Sequence, residues 1–330
     1  MKILVVRFSS IGDVVLTTPV LRAIKNQIPN VEIHFLTKIG FLPLVENNPN
    51  LSKVFTIDKS IKEVACALKI ERYDCIVDLH NNVRTFSLKF KLGVKSFSFP
   101  KLNFRKWLLV RFKMNRMPEK HIVDRYFECV SKLGVKNDGF PGELFISPED
   151  QVSVKDFFGC EENAFVAVAI GAQFQTKQMP NGLLKNVLKD IPSPIVLLGG
   201  KEDAQKALEL IQMLPEKQIQ SACGIFSLMQ SASIVKKAKI LLTGDTGMMH
   251  IAACFNRNIV SVWGNTIPEL GMYPYQPSQK VLFSIHEVDT LSCRPCSKIG
   301  FQKCPKGHFK CMNLQDVDAI KTDLIQRINL

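Results

Sequence analysis

Lys2-Ile3-Leu4-Val5-Val6-Arg7-Phe8-Ser9-Ser10-Ile11-Gly12-Asp13 opens the chain with the pattern that decides the fold. Lys2–Phe8 is an apolar run of strand length, as expected of a parallel strand covered on both faces. Helical spacing follows, with Val14, Leu21, Ile24 and Ile28 recurring along Asp13–Ile28 and Pro19 in the second turn, where a kink is expected. This unit of strand, glycine turn and helix then repeats. Val31–Thr37, Lys53–Ile57 and Cys75–Leu79 read as strands, and Ser60–Glu71 and His121–Leu133 as helices, the second stopped by Gly134. A second series begins at Phe165–Ile170 and continues with strands at Ile195–Leu198, Ile240–Thr243 and Ile259–Trp263. Its helices are Lys201–Leu214, Thr246–Phe255 and Leu314–Ile328. A chain of 330 residues is long for one core, so two Rossmann-like domains are expected, 1–155 and 156–330, meeting in the polar stretch Ser147–Asn163. Such alternation implies parallel sheets with active sites at the carboxyl ends of the strands, here in a cleft between two glycine-marked loops.

Composition narrows the class. Hydrophobic residues at 46% and charged residues at 22% suit a globular chain. No apolar run reaches the ~18 residues of a membrane span. Arg7 interrupts the first apolar stretch too early for a signal peptide, so a cytoplasmic enzyme is expected. Cys66, Cys75, Cys129, Cys160, Cys223 and Cys254 fall in apolar segments, as buried free thiols do. The net charge of +13 is concentrated: Arg84, Lys89, Lys91, Lys95, Lys101, Arg105, Lys106, Arg111, Lys113, Arg116 and Lys120 face a single acid, Glu119. Phe86, Phe90, Phe97, Phe99, Phe104, Trp107 and Phe112 are interleaved with them. The segment is either a solvated basic face over core aromatics or a surface for a polyanion such as a phosphorylated lipid, acidic membrane or nucleic acid.

Chemistry is expected in the turns after the strands. In Phe8–Asp13, Gly12 permits a tight turn, the helix start offers amides to an anion, and Asp13 is either a helix cap or a catalytic carboxylate. One glycine is not the G-x-G-x-x-G of a dinucleotide site, which argues against a standard dehydrogenase. In Thr243–His250, Asp245, Thr246 and the amides of Gly247 and Met248 are placed to hold phosphate or ribose oxygens, with His250 one turn further on. Gly171–Lys177 brings a lysine to a strand end, where it can meet a diphosphate, and Gly199–Asp203 brings two acids that suit a ribose hydroxyl or a helix start. Cys293, Cys296, Cys304, His308 and Cys311 lie within twenty residues. They form either a closed structural zinc site, with the four cysteines as candidate ligands, or free thiols or a disulfide in a loop.

Four stretches then carry a resemblance. Arg7–Pro19, Gly244–Ala253, the run Val260–Gly264 with Thr266 and Pro268, and Cys304-Pro305-Lys306-Gly307-His308 resemble the lipopolysaccharide heptosyltransferases, the ADP-heptose:LPS glycosyltransferases. The resemblance implies a GT-B fold of two facing Rossmann-like domains, with acceptor bound mainly by the first and nucleotide sugar by the second. It implies inverting transfer of a heptose or related sugar from a nucleotide sugar, ADP-heptose, to the lipopolysaccharide core or a similar lipid-linked glycan, with no metal at the reaction centre. Asp13 falls on the catalytic base, and Lys177, Asp245, Thr246, Gly247, Met248 and His250 on the donor site. Ser10, Gly12 and Arg84 are the acceptor-side candidates. Ile170-Gly171 replaces a usual Pro-Gly, and Met179 stands where a tryptophan is common, so both departures bear on the donor pocket.

The chemistry agrees with these residue types. An acceptor hydroxyl needs a carboxylate to take its proton, and the leaving diphosphate needs positive charge from Lys177 and helix-start amides. The basic segment would then meet a phosphorylated acceptor at the inner membrane surface, each cation contributing about 1 kcal/mol. The competing enzyme reading is a nucleotide-sugar epimerase or hydrolase. Nucleic-acid binding would leave both strand-end loops without a task, so no nucleic-acid partner is expected.

Overall fold

The computed structural model describes residues 1–277 and 282–329. The chain divides into two compact units, one of Met1–Leu102 with Lys120–Phe145, the other of Asn103–Glu119 with Ile146–Leu330. The divide at 145/146 precedes the boundary drawn from polarity at 155/156, because Val152, Val154 and Phe158 are core residues of the second unit. The segment 103–119 also goes with the second unit, although it lies well inside the first half of the sequence.

The first unit contains β1 (Lys2–Val6), β2 (Glu32–Lys38), β3 (Lys53–Ile57), β4 (Cys75–Asp78) and β5 (Lys95–Ser98) in one sheet of order β3-β2-β1-β4-β5. Every pairing is parallel, with Val6 opposite Leu36 on one side and Asp78 on the other. Central β1 has no exposed face, and Ile3, Leu4, Val5 and Val6 are fully buried. Leu4 and Val6 share one core with Leu36, Ile57, Ile76 and Leu88. The expected helix Asp13–Ile28 is two helices, Ile11–Val15 and Thr18–Gln27. Pro19 lies in the first turn of the second, where its missing N–H has no partner to lose. Ser60–Glu71 is likewise divided into a 3-10 turn, Ile61–Glu63, and a helix, Ala65–Ile70. The Glu63 carboxylate accepts the backbone N–H groups of Asp58, Lys59 and Ser60 and fixes that turn.

The second unit contains β6 (Val166–Ala169), β7 (Ile195–Leu198), β8 (Ile219–Ser221), β9 (Ile240–Gly244), β10 (Asn258–Trp263) and β11 (Phe283–Glu287), all parallel, in the order β11-β10-β9-β6-β7-β8. Alternate residues feed alternate cores: Val166 and Val168 enter one, Ala167 and Ala169 the other. The closing helix, Val317–Asn329, buries Ile320 and Leu324 in the first of these. Burial opposes ionisation of its Asp323, but bonds from His286, Ser284 and Arg327 prevail and hold the carboxyl at about 2. Among the described residues no helix is long and apolar enough to cross a membrane.

Each sheet reverses its strand order once, between β1 and β4 and between β6 and β9. Loops leaving the carboxyl ends on either side of such a reversal diverge and leave room for a ligand. Asp13 follows β1, Lys177 follows β6 and Asp245 follows β9.

Candidate active site

Beyond β1 the chain turns at Ser10 into the helix Ile11–Val15. The carboxylate of Asp13, three residues into it, accepts hydrogen bonds from the Ser10 backbone N–H (3.2 Å) and hydroxyl (2.8 Å). Asp13 therefore supports the helix start from within, as the acidic partner of a capping box does. Its other oxygen lies 2.5 Å from the Arg7 guanidinium. Arg7 is 7% exposed and also donates to the backbone carbonyls of Ser9 (2.8 Å) and Leu79 (2.5 Å). A guanidinium tied to two carbonyls cannot swing aside, so the carboxylate is fixed from beneath. Burial pushes the Asp13 carboxyl up, but the Arg7 charge and the Ser10 bonds outweigh it and hold it below the usual carboxylate range. With 19% of its side chain exposed, Asp13 is ionised and reachable.

His80 follows β4 and meets the Phe8 ring edge-on at 5.1 Å. Burial first, then the charges of Arg7 and Lys101, push its imidazole down to about 4, so it is neutral at neutral pH. Of the acceptor-side candidates, Ser10 binds Asp13 directly and Gly12 is buried in the same short helix. Arg84 is exposed, in the first turn of the helix Val83–Leu92 that follows β4.

In the second unit Lys177 closes a 3-10 turn, Gln175–Lys177, and its ammonium lies 2.6 Å from Asp245. The same Asp245 oxygen accepts the Thr266 hydroxyl at 2.7 Å. A Cβ on Gly244 would lie 2.4 Å from the Lys177 carbonyl, so only glycine lets β9 run against this turn. Thr246 precedes the helix Gly247–Cys254 and shares a hydroxyl hydrogen bond with Thr243 at 3.0 Å. Gly247 and Met248 open that helix, half-buried, and the first N–H groups of a helix have no partner within it. His250 is buried one turn on, at 3% exposure. Lys177, Asp245, Thr246, Gly247 and Met248 thus gather at the β6/β9 reversal. The two departures, Ile170 and Met179, are both core residues. Asp203 accepts the Gly200 N–H at 2.9 Å and is buried, so it secures its own turn.

The cysteine loop lies against the Lys177 turn. The Thr176 N–H and hydroxyl donate to the Phe301 carbonyl (3.1 and 3.0 Å), and the Phe301 N–H returns a bond to the hydroxyl (2.8 Å). Among the described residues, the group of three potential metal ligands whose donor atoms lie within 4.8 Å of one another is Glu32, His34 and Glu71. Lys2 and Lys53 already pair with those carboxylates.

The basic segment falls into two parts. Phe97 and Phe99 are core residues. Phe86 and Phe90 are exposed on Val83–Leu92 in the first unit, and Phe104, Trp107 and Phe112 on the helix Asn103–Phe112 in the second. Sequence reasoning gave no task to Arg7, His80 or Thr266. The available signal for Arg7 was a cation in an apolar run, six residues before Asp13.

Two parallel sheets, each reversing its strand order at the loops just described, are the sheets of a GT-B fold. The family 9 glycosyl transferase from Veillonella parvula superposes with a TM-score of 0.73 at 23% identity, covering 86% of this chain and 85% of that one. The E. coli ADP-heptose lps heptosyltransferase II superposes with the same score at 18% identity, over 100% and 99%. Residues 61–300 match glycosyltransferase family 9 (heptosyltransferase), and the chain belongs to that family. It is 22% identical over 298 residues to lipopolysaccharide heptosyltransferase 1 of Campylobacter coli, covering 81% of this chain and 84% of that protein. It is 23% identical over 294 residues to lipopolysaccharide heptosyltransferase 2 of E. coli, over 82% and 84%.

Proposed function

We propose that the protein transfers a heptose from ADP-heptose to the core of lipopolysaccharide or a similar lipid-linked glycan, inverting the anomeric carbon. Asp13 takes the proton of the acceptor hydroxyl as its oxygen bonds to that carbon, and the bond to the diphosphate breaks on the opposite side. Lys177 and the amides of Gly247 and Met248 take up the charge that develops on the leaving ADP. Asp245 holds the ammonium of Lys177 in place. The observation that carries this reading is the fixed, ionised Asp13 carboxylate at the end of β1. Incubation with ADP-heptose and a heptose-deficient lipopolysaccharide acceptor is expected to give an anomer inverted relative to the donor, identified by NMR. ADP-heptose should survive without acceptor. Equally fast consumption of donor alone would replace this reading with a nucleotide-sugar epimerase or hydrolase.

The acceptor is met at the cytoplasmic face of the inner membrane. Support comes from the exposed Phe104, Trp107 and Phe112 alternating with Arg105 and Arg111 on Asn103–Phe112. Aromatic rings among cations suit the headgroup layer of an anionic bilayer, and each cation near it contributes about 1 kcal/mol. Co-sedimentation should be strong with phosphatidylglycerol vesicles and weak with phosphatidylcholine vesicles. The triple alanine variant of the aromatics should lose most of it while binding ADP normally.

A further inference from the structure

The start of a helix favours acids, because its unpaired N–H groups carry partial positive charge. Lys206 stands against that preference, as the third residue of the helix Ala204–Gln212 that follows β7. Its side chain does not extend into water but is half-buried. The ammonium turns back toward the end of β6 and donates to the Ile170 carbonyl (2.9 Å) and to Oε1 of Gln178 (3.2 Å). Both partners are neutral, so this lysine is spent on holding a loop.

The loop so held is the one that carries Lys177. Ile170 is its first residue, with its N–H on the Leu198 carbonyl (2.9 Å), and Gln178 directly follows Lys177. The Gln178 amide nitrogen donates onward to the Ala172 carbonyl (3.1 Å). One amide thus accepts from Lys206 and donates across the loop, which fixes its orientation. Within the loop the Lys177 N–H donates to the Phe174 carbonyl and the Gln178 N–H to the Gln175 carbonyl, both at 3.0 Å. The Asp203 carboxylate fills the space that a Cβ on Gly171 would need, so the loop rests on the turn that leads into the Lys206 helix. Lys177 therefore stands between Thr176, bonded to Phe301, and Gln178, bonded to Lys206.

We propose that Lys206 is a positioning residue of the donor site: its ammonium clamps the two ends of the 170–178 loop and thereby aims Lys177 at the leaving diphosphate. The proposal rests on the donor-site reading above. A cation suits the task because a charge-assisted hydrogen bond is roughly twice as strong as a neutral one. The charge is conditional. Burial pushes the Lys206 ammonium down to about 8, against the opposing pull of Asp203 and Cys223. Asp203, on the turn before the helix, is itself held above the usual carboxylate range by burial and feels Glu202, and burial pushes the Cys223 thiol, after β8, up to about 11. From the next helix Asn181 donates to the Lys206 carbonyl (3.1 Å) and to Glu209 (3.4 Å). The clamp is therefore complete below its own titration and loosens as pH rises through it.

Calorimetry with ADP on the full-length chain tests the clamp. Lys206→Met, which keeps the stem and removes the charge, is expected to weaken ADP binding by about five- to tenfold at neutral pH. In a Lys177→Met background the same change should cost less than about twofold, because no lysine is left to aim. Equal losses in the two backgrounds overturn the proposal, since Lys206 would then act on ADP by another route. So does a folded Lys206→Met protein that binds ADP as the natural one does. A measurement on the unaltered chain needs no variant to fold: ADP affinity should fall by about threefold between neutral pH and roughly pH 9.5, as charge-assisted bonds become neutral ones. An affinity that stays level across that range overturns a clamp made by the ammonium. Unchanged ADP affinity in Lys177→Met instead overturns the donor-site reading, and the clamp with it.

Discussion

The two strand-end sites use the same device with the charges exchanged. At β1 a buried arginine holds a more exposed carboxylate, with side chains 9% and 19% exposed for Arg7 and Asp13. At β9 a buried carboxylate holds a more exposed lysine, with 9% and 17% for Asp245 and Lys177. In each pair the deeper charge is anchored by a further bond, Arg7 to backbone carbonyls and Asp245 to the Thr266 hydroxyl. The shallower charge is the one that the proposed reaction assigns to substrate. That polarity suits the reaction proposed above, in which a proton is taken at Asp13 and a diphosphate is stabilised at Lys177.

The largest expected effect comes from removing the shallow charge of the first pair. Asp13→Asn should lower the transfer rate by about 10²–10⁴-fold while ADP affinity by calorimetry stays unchanged. Lys177→Met should reverse that pattern. ADP binding weakens by about 10–100-fold through loss of a charge-assisted contact, and the KM for acceptor holds. Thr266→Val, which removes one anchor of Asp245, should cost about 1 kcal/mol, or roughly fivefold in ADP affinity. The smallest effect belongs to Arg84→Ala. Exposed and salt-screened, it should raise the KM for a phosphorylated acceptor a few-fold at low ionic strength and leave ADP binding unaltered.

Legibility in the sequence followed the range of the physics. β3 and β7 were readable to the residue because an apolar run between polar turns needs no partner to be recognised. β5 and β8 were not, since Lys95–Ser98 buries only Phe97 and Ile219–Ser221 is three residues long. Proline chemistry indicated a disturbance at Pro19 without showing that the helix would end and restart. Asp13, Lys177 and Asp245 were visible as charges at the ends of strands, but the partners that fix them are distant. Arg7 needs the Leu79 carbonyl 72 residues away, and Asp245 needs Thr266 21 residues on. Charge density along 84–120 likewise could not separate Phe97 and Phe99, which fold inward, from Phe104, Trp107 and Phe112, which do not.

Capping at Asp13 and the catalysis proposed for it are one arrangement seen from two sides, because the bonds that secure the helix start also keep the carboxylate ionised. Its lowered titration has a definite sign. The pair contributes stability fully above the carboxylate's unfolded value, and that contribution is lost as pH falls through the lowered folded value. The pH dependence of kcat/KM for acceptor, compared between the natural protein and Arg7→Met, tests the pairing most directly. The acid limb of the natural protein should lie below the usual carboxylate range and move up by about one pH unit or more when the guanidinium is removed. An acid limb that stays at the same pH in an Arg7→Met protein still folded at neutral pH would contradict Asp13 as the base that Arg7 holds ionised.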